Sequence, residues 1–391
     1  MKPSNRISSI TNGGSDGWEI FYKARQMVSS GIDVIELSIG EHDIGTDPAI
    51  LKSMNKAALN GHTGYALVPG LEDLRSLVAN RTEKKTGIRT TLENVIITPG
   101  GQSALFAAHM AVLDKGETAS YIDPFYATYP TTIRSVGAIE KRIVTRAENY
   151  FQPTFEQLDS ATKKTKSLLI NSPNNPTGMV YNEATIKSIC DVAKKNNLWI
   201  ISDEVYDTQI WAGKHISPRE IENMTERTLV VGSLSKSHAM TGSRLGWLLG
   251  PKEIIAKAID LATNMTYGVP GFIQHAGIFA LEQGKEFEEK ISSPFNRRRK
   301  LALDILKDFP NLNHIPPQGG MYVMLNIRNT GMSGTSFAHK LLDTEKIAVM
   351  PGESFGEAAS GHIRISLTLA DKKFEETFRR ICKFASHLNT R

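Results

Sequence analysis

Residues 232–247 read GSLSKSHAMTGSRLGW. The segment follows the apolar run Thr228-Leu-Val-Val231 and leads into Gly246-Trp-Leu-Leu249, so its polar residues sit between two stretches that read as buried strands. Alone, a serine-rich segment carrying Lys236 and Arg244 reads as a solvated loop. The rest of the chain gives it a different setting.

Outward from this segment, short apolar runs recur between helical patterns. Val95-Ile-Ile-Thr98 precedes a helical pattern at 102–113, and Ala119-Ser-Tyr-Ile122 and Ser167-Leu-Leu-Ile170 follow. A second helical pattern, 183–195, leads to Leu198-Trp-Ile-Ile201. Apolar strands alternating with helices predict a mostly parallel sheet covered on both faces. Each run ends in polar or small residues: Pro99-Gly-Gly-Gln-Ser103, Asp123-Pro-Phe-Tyr126, Asn171-Ser-Pro-Asn-Asn-Pro-Thr-Gly178, Ser202-Asp-Glu-Val-Tyr206 and Gly232-Ser-Leu-Ser-Lys236. In open α/β sheets ligands bind beyond the carboxyl ends of the strands, so these ends are expected to converge on one ligand. From about Pro294 the pattern changes to helices with strand patterns at 319–327 and 362–367. This predicts a smaller α+β domain, joined by the N-terminal segment through Gly40. The expected division is residues 1–45 with 290–391 against a large domain of 46–289.

Composition narrows the function. The chain has 391 residues, 40% hydrophobic and 22% charged, the balance of a globular protein larger than one core usually holds. Its net charge of +5 is spread without a long basic arm, and Arg297-Arg-Arg-Lys300 reads as a solvated helix face, so no nucleic-acid partner is expected. Cys190 and Cys382 read as buried thiols rather than a disulfide framework. The histidines show no metal-ligand spacing, so no metal is expected. No run approaches the roughly 18 apolar residues that span a bilayer, so no membrane partner and a cytoplasmic location are expected.

The strand-end residues suggest a shared chemistry. Backbone N–H groups at Gly101 and Gln102 open a helix and suit an anion, and Ser233 and Arg244 offer further donors to it. Tyr126 suits a flat ring, Asp203 a ring nitrogen, Asn175 and Tyr206 a phenolate, and Lys236 an aldehyde. A phosphate, an aromatic ring with a basic nitrogen, a phenolate and an aldehyde together describe pyridoxal 5′-phosphate. A Gly-x-Gly-x-x-Gly fingerprint between strand and helix is absent, which argues against a dinucleotide enzyme.

The chain resembles the class I and II aminotransferases of the aspartate aminotransferase superfamily. The motifs that carry the resemblance are Asn174-Asn-Pro-Thr-Gly178, Ser202-Asp-Glu-Val-Tyr206, Ser233-Leu-Ser-Lys236 with Arg244 and Gly246, and His362-Ile-Arg364. It implies the fold type I architecture of pyridoxal-phosphate enzymes: a mostly parallel seven-stranded sheet flanked by helices, plus a smaller α+β domain. It implies that Lys236 holds the cofactor as an imine and then shuttles the proton between the substrate α-carbon and the cofactor. It implies that Asp203 keeps the pyridine nitrogen protonated, that Asn175 and Tyr206 bond the phenolic oxygen, and that Arg364 clamps the substrate α-carboxylate beside Gly40. Asp203 and Asn175 also suit plain turns, and Tyr126 a plain core position. Tyr65 matches a tyrosine that relatives send to the partner subunit's phosphate, which implies a homodimer with shared active sites. His238 has no role in that chemistry.

Substrate choice rests on what faces the far end of the pocket. Aspartate-specific relatives place a second cation there. The corresponding segments here, Thr263-Asn-Met-Thr-Tyr-Gly-Val-Pro270 and Gln102, carry none. Wording such as Gly17-Trp-Glu-Ile-Phe-Tyr-Lys23 and Tyr267-Gly-Val-Pro-Gly-Phe-Ile-Gln274 is similar to bacterial arginine–pyruvate transaminases. Trp18 is expected over the substrate, with Asp16 or Glu19 as acids for a cationic side chain. The expected reaction is transamination between an L-amino acid, arginine or another non-dicarboxylic donor, and pyruvate. A β-eliminating lyase on the same fold, or an aspartate or aromatic aminotransferase, remains the alternative.

Overall fold

The computed structural model describes residues 1–11 and 17–388. Its strands, in chain order, are β1 (Ile35–Glu36), β2 (Val95–Thr98), β3 (Thr118–Asp123), β4 (Ile139–Val144), β5 (Ser167–Asn171), β6 (Trp199–Asp203), β7 (Thr228–Ser233), β8 (Gly246–Leu249), β9 (Tyr322–Asn326), β10 (Ile347–Ala348), β11 (Met350–Pro351) and β12 (His362–Ser366). Seven strands form one sheet in the order β2-β8-β7-β6-β5-β3-β4, and only β8 runs against its neighbours.

Alternation along each strand feeds two separate cores. Ile201, Leu229, Val231 and Leu248 pack with Ala104, Ala108 and Val112 of the helix Gly100–Val112. On the other face Leu168, Ile170 and Ile200 pack with Ile186, Ile189 and Val192 of the helix Glu183–Lys195, and Val230, Trp247 and Leu249 join a third cluster. Burial on both faces explains why these strands read as continuous apolar runs. Each fully buried aliphatic side chain contributes about 1.5–3 kcal/mol. The strand that the residue reading passed over is β4, Ile-Glu-Lys-Arg-Ile-Val, of which only Ile143 is buried. It lies at the sheet edge, where charged side chains discourage pairing with another chain.

The carboxyl-terminal part holds an antiparallel sheet, β11-β12-β9, and β1 pairs in parallel with β10, Ile35 opposite Ile347. One core gathers Ile20, Ala24 and Leu37 with Val323, Leu325, Ile363, Ile365, Phe374 and Phe378. The N-terminal segment therefore packs against the last third of the chain. The helix Gly284–Leu306 runs unbroken across residue 290, so no linker marks the expected division. Both cysteines are buried and free. Among the described residues no helix is long and apolar enough to cross a membrane.

Arg298 corrects the reading of the basic cluster as a solvated face. Its side chain is only 4% exposed. It donates to Asp43 at 2.7 and 2.8 Å, to Asp371 at 2.9 Å and to the Leu367 carbonyl at 2.9 Å. Three segments distant in sequence are thereby tied to one guanidinium, beside the segment that carries Gly40. Charge periodicity could not single out Arg298, because its partners come from other elements. Arg298→Ala should lower unfolding stability by about 2–3 kcal/mol, short of a fully buried pair because Asp371 stays partly exposed. Arg297→Ala, at an exposed neighbour, should change it by less than about 0.5 kcal/mol. Urea unfolding of the two variants measures the contrast.

Candidate active site

The sheet ends in a cavity of about 260 Å³, and every candidate residue named above except Tyr65 lines it, Glu19 and Asp16 apart. Asn171, Asp203 and Ser233 are the last residues of β5, β6 and β7; register sets Asn171 opposite Asp203, and Ser233 extends two residues beyond Val231, the residue opposite Asp203. Gly101 and Gln102 lie in the first turn of the helix that follows β2.

One corner suits an anion. The first N–H groups of the helix Gly100–Val112 have no partner within the helix and carry its positive dipole end. Gln102 ties its side chain elsewhere: Nε2 donates to Thr132 at 2.7 Å and Oε1 accepts from Thr128 at 2.9 Å. Its backbone N–H is what remains for a ligand. Gly100 has φ +78°, and a Cβ there would overlap the Arg244 guanidinium. Glycine is thus required both for the turn and for the approach of Arg244. Arg244 itself holds a left-handed backbone, φ 50°, and donates to the Thr241 carbonyl at 2.9 Å. Ser233 caps the turn Leu234–Ser237 by accepting from the Ser235 N–H at 3.1 Å. Ser235 also lines the cavity.

The middle of the cavity is a buried polar network. Asp203, at the end of β6, accepts from the Tyr129 hydroxyl at 2.7 Å, and burial pushes its carboxyl up to about 6. Asn171 donates to the Asp203 carbonyl at 2.9 Å and accepts from the Asn175 N–H at 2.8 Å, which fixes the Asn175 loop to the strand end. Tyr206 lies with its hydroxyl 3.1 Å from that of Tyr322. Burial holds Tyr129 and Tyr206 well above the ordinary phenol range and pushes Tyr126 up to about 12. Tyr126 packs edge-on against Tyr129 and Trp18.

Lys236 projects into this network. Its ammonium donates to the Gly40 carbonyl, and burial lowers its pKa below the ordinary lysine value, with the positive charge of Arg364 acting the same way. Its own carbonyl is held by His42 and Gln209. His238 lies outside the cavity lining, stacked on Phe287, with its pKa lowered by burial to about 3.

Arg364, on β12, is 1% exposed. It donates to Asn175 Oδ1 at 2.9 Å and to the Ser38 carbonyl, and its Nε has no partner. Its guanidinium lies between the rings of Tyr322 and Phe355, 4.3 and 4.4 Å from their centroids. Among the described residues no carboxylate pairs with it. A buried cation so placed is costly unless a ligand brings the negative charge.

The lining residues not singled out from sequence include Tyr129, Asn171, Tyr322 and Glu41. Tyr322 could have been found only from the pairing of β9 with β12, which sets Tyr322 opposite Ser366 and Met324 opposite Arg364 on one face. Glu41 is an acid on the lining that the sequence reading did not name. Glu19 is exposed and faces a separate hollow near Thr335 and His339, and Asp16 lies outside the described residues. Trp18 does line the cavity. Tyr65 stands away from it, 92% exposed and edge-on to Tyr267. Among the described residues there is no cluster of metal-ligating side chains.

Comparison with known proteins follows the same lines. A family model described as aminotransferase class I and II matches residues 32–381. The arginine–pyruvate transaminase of Pseudomonas aeruginosa is 37% identical over 99% of each chain. An aspartate aminotransferase of Pyrococcus horikoshii is 35% identical over 93% of each. The structure of the Thermus thermophilus aspartate aminotransferase with maleate superposes with a TM-score of 0.92 at 31% identity, covering 98% of this chain and 100% of that one. The seven-stranded sheet, its reversed strand and the cavity at its carboxyl edge are therefore those of the aspartate aminotransferase fold, and the chain belongs to the class I and II aminotransferases, a family in which dependence on pyridoxal phosphate is general.

Proposed function

We propose that this enzyme binds pyridoxal 5′-phosphate in the cavity and transfers the amino group of arginine, or of another long non-dicarboxylic L-amino acid, to pyruvate. The observation that carries the reading is the convergence of a depressed lysine, a buried carboxyl and an unpaired buried guanidinium on one cavity. Pyridoxal phosphate, when bound, supplies an aldehyde that takes up the amino group and a ring that accepts electrons from the α-carbon.

The residues fit that group. Ser233, Arg244 and the N–H groups of Gly101 and Gln102 hold the phosphate, and Tyr126 covers the ring. Asp203 faces the ring nitrogen. The groups acting on its carboxyl are Tyr129, Val205 and Glu204, none of them a cation, so a pyridinium supplies the missing counter-charge and stays protonated. Asn175, whose Oδ1 accepts from Arg364, would offer its amide N–H to the phenolic oxygen, together with the Tyr206 hydroxyl. Lys236 is the base and acid that moves the proton at the substrate α-carbon, and its lowered pKa favours the unprotonated amine that this task needs. Arg364 takes the α-carboxylate bidentately, beside the Gly40 backbone.

Borohydride treatment of the yellow holoenzyme, followed by peptide mapping, should place the pyridoxyl mass on the Lys236 peptide. Lys236→Ala should retain cofactor but lose transamination by about three orders of magnitude or more, since covalent and proton-transfer roles vanish together. A label on another lysine would sink the assignment.

Substrate choice follows from the lining. Its cations are Lys236, Arg244 and Arg364, each assigned above, and its acids are Asp203 and Glu41. A distal carboxylate would find no free cation among the described residues. Glu41, at the rim, is steadied by the Thr241 hydroxyl at 3.0 Å and suits a guanidinium or ammonium, with Trp18 close by. The relative named for arginine and pyruvate supports the same donor and acceptor. With pyruvate as acceptor, kcat/KM for arginine should exceed that for aspartate by about tenfold or more, the cost of a poorly paired carboxylate. Glu41→Gln should lower it for arginine by about three- to fivefold, as for an exposed ion pair, and leave leucine within twofold. Aspartate as the best donor overturns this part alone.

The enzyme acts as a homodimer in this reading, with Tyr65 reaching the phosphate bound by the other subunit. Its exposure on the isolated chain supports that role. Tyr65→Phe should weaken cofactor retention by about tenfold, the worth of one hydrogen bond to a charged group. Sedimentation at assay concentration checks the assembly, and a fully active monomer contradicts it.

A further inference from the structure

Tyr322 belongs to none of the roles assigned above, yet it touches three groups that have them. Its hydroxyl lies 3.1 Å from that of Tyr206. Its ring lies 4.3 Å from the Arg364 guanidinium. A Cβ on Gly40 would overlap its hydroxyl oxygen, so that oxygen fills the space glycine leaves beside the carbonyl that binds Lys236. The side chain is 2% exposed and has little freedom to move.

Counting protons settles which hydroxyl donates. Each phenol has one proton, and a hydrogen bond between two hydroxyls uses one of them. The cofactor's phenolic oxygen, ionised, only accepts. If Tyr206 gives its proton to that oxygen, the 3.1 Å contact needs the proton of Tyr322. Otherwise two buried oxygens would face each other through lone pairs, at the cost of an unsatisfied pair.

We propose that Tyr322 is a positioning residue: its hydroxyl donates to the Tyr206 oxygen and so commits the Tyr206 proton to the cofactor's phenolic oxygen. This rests on the pyridoxal-phosphate reading given above. Hydrogen bonds in a chain strengthen one another, so the donation from Tyr322 sharpens that from Tyr206. A stronger donation withdraws charge from the phenolic oxygen. It therefore lowers the pH at which the visible band of the holoenzyme passes from its protonated to its unprotonated form.

Tyr322→Phe tests this cleanly, since the ring under Arg364 stays and only the hydroxyl is lost. In a spectrophotometric pH titration, the midpoint of Tyr322→Phe holoenzyme should rise by roughly 0.1–0.7 of a pH unit above the parent, a 10–30% weakening of a charged hydrogen bond. KM for the amino donor should stay within about twofold, because the platform for Arg364 is intact. Tyr206→Phe should raise the midpoint further, and adding Tyr322→Phe to it should then have no effect, because the relay runs through Tyr206. A Tyr322→Phe titration that superimposes on the parent overturns the relay alone. A shift that persists in the Tyr206→Phe background also overturns it, by showing a direct field effect. A parent protein with no titrating visible band overturns the cofactor reading and the relay with it.

Discussion

Arg364 is buried with no carboxylate among the described residues to neutralise it, and much of the site is arranged to tolerate that. Its donors reach the Ser38 carbonyl of the N-terminal segment and Asn175 of the loop after β5, and its flat faces meet Tyr322 and Phe355. Four distant stretches of chain are thereby held around one charge. Carbonyls, amide oxygens and ring faces steady a guanidinium without discharging it, so its capacity for a carboxylate is kept for a ligand.

The turn that carries Phe355 is held by a second buried charge. Asp123, the last residue of β3, accepts from the Glu357 and Ala358 N–H groups at 2.9 and 3.3 Å, and a Cβ at Gly356 would overlap its carboxylate. The Phe125 N–H donates to the Phe355 carbonyl at 3.0 Å. The large sheet thus reaches across to the platform on which Arg364 rests. Arg298 does the same from the helix Gly284–Leu306, through Asp43 and Asp371. These polar contacts, with a small apolar cluster of Ala127, Met324, Met350 and Phe355, set how the two parts of the chain meet at the cavity.

Within the cavity, burial acts on groups of opposite sign in a complementary way. It raises the Asp203 carboxyl and lowers the Lys236 ammonium, in each case disfavouring the charged form. A ligand with a protonatable ring nitrogen at one end and an aldehyde at the other meets both needs. The reactivity expected of Lys236 is therefore a property of its surroundings, since the same side chain on a surface loop would stay an ordinary ammonium.

The amino-acid sequence by itself determined the parallel sheet, the strand ends and the residue types at those ends. Lys236, Asp203 and Asn175 were legible because each lies a few residues beyond, or at the end of, an apolar run, and Arg244 because it stands just before one; such runs are a short-range property of the chain. The charged edge strand β4 was not legible, because an edge needs no apolar face outward. Only the tertiary structure decided that Arg298 turns inward, that Glu41 rather than Glu19 faces the cavity, and that Tyr322 meets both Tyr206 and Arg364. Those outcomes depend on the register of β9 against β12 and on how the N-terminal segment packs on the last third of the chain. Such contacts join residues hundreds of positions apart, and no local period in the chain records which of them will meet.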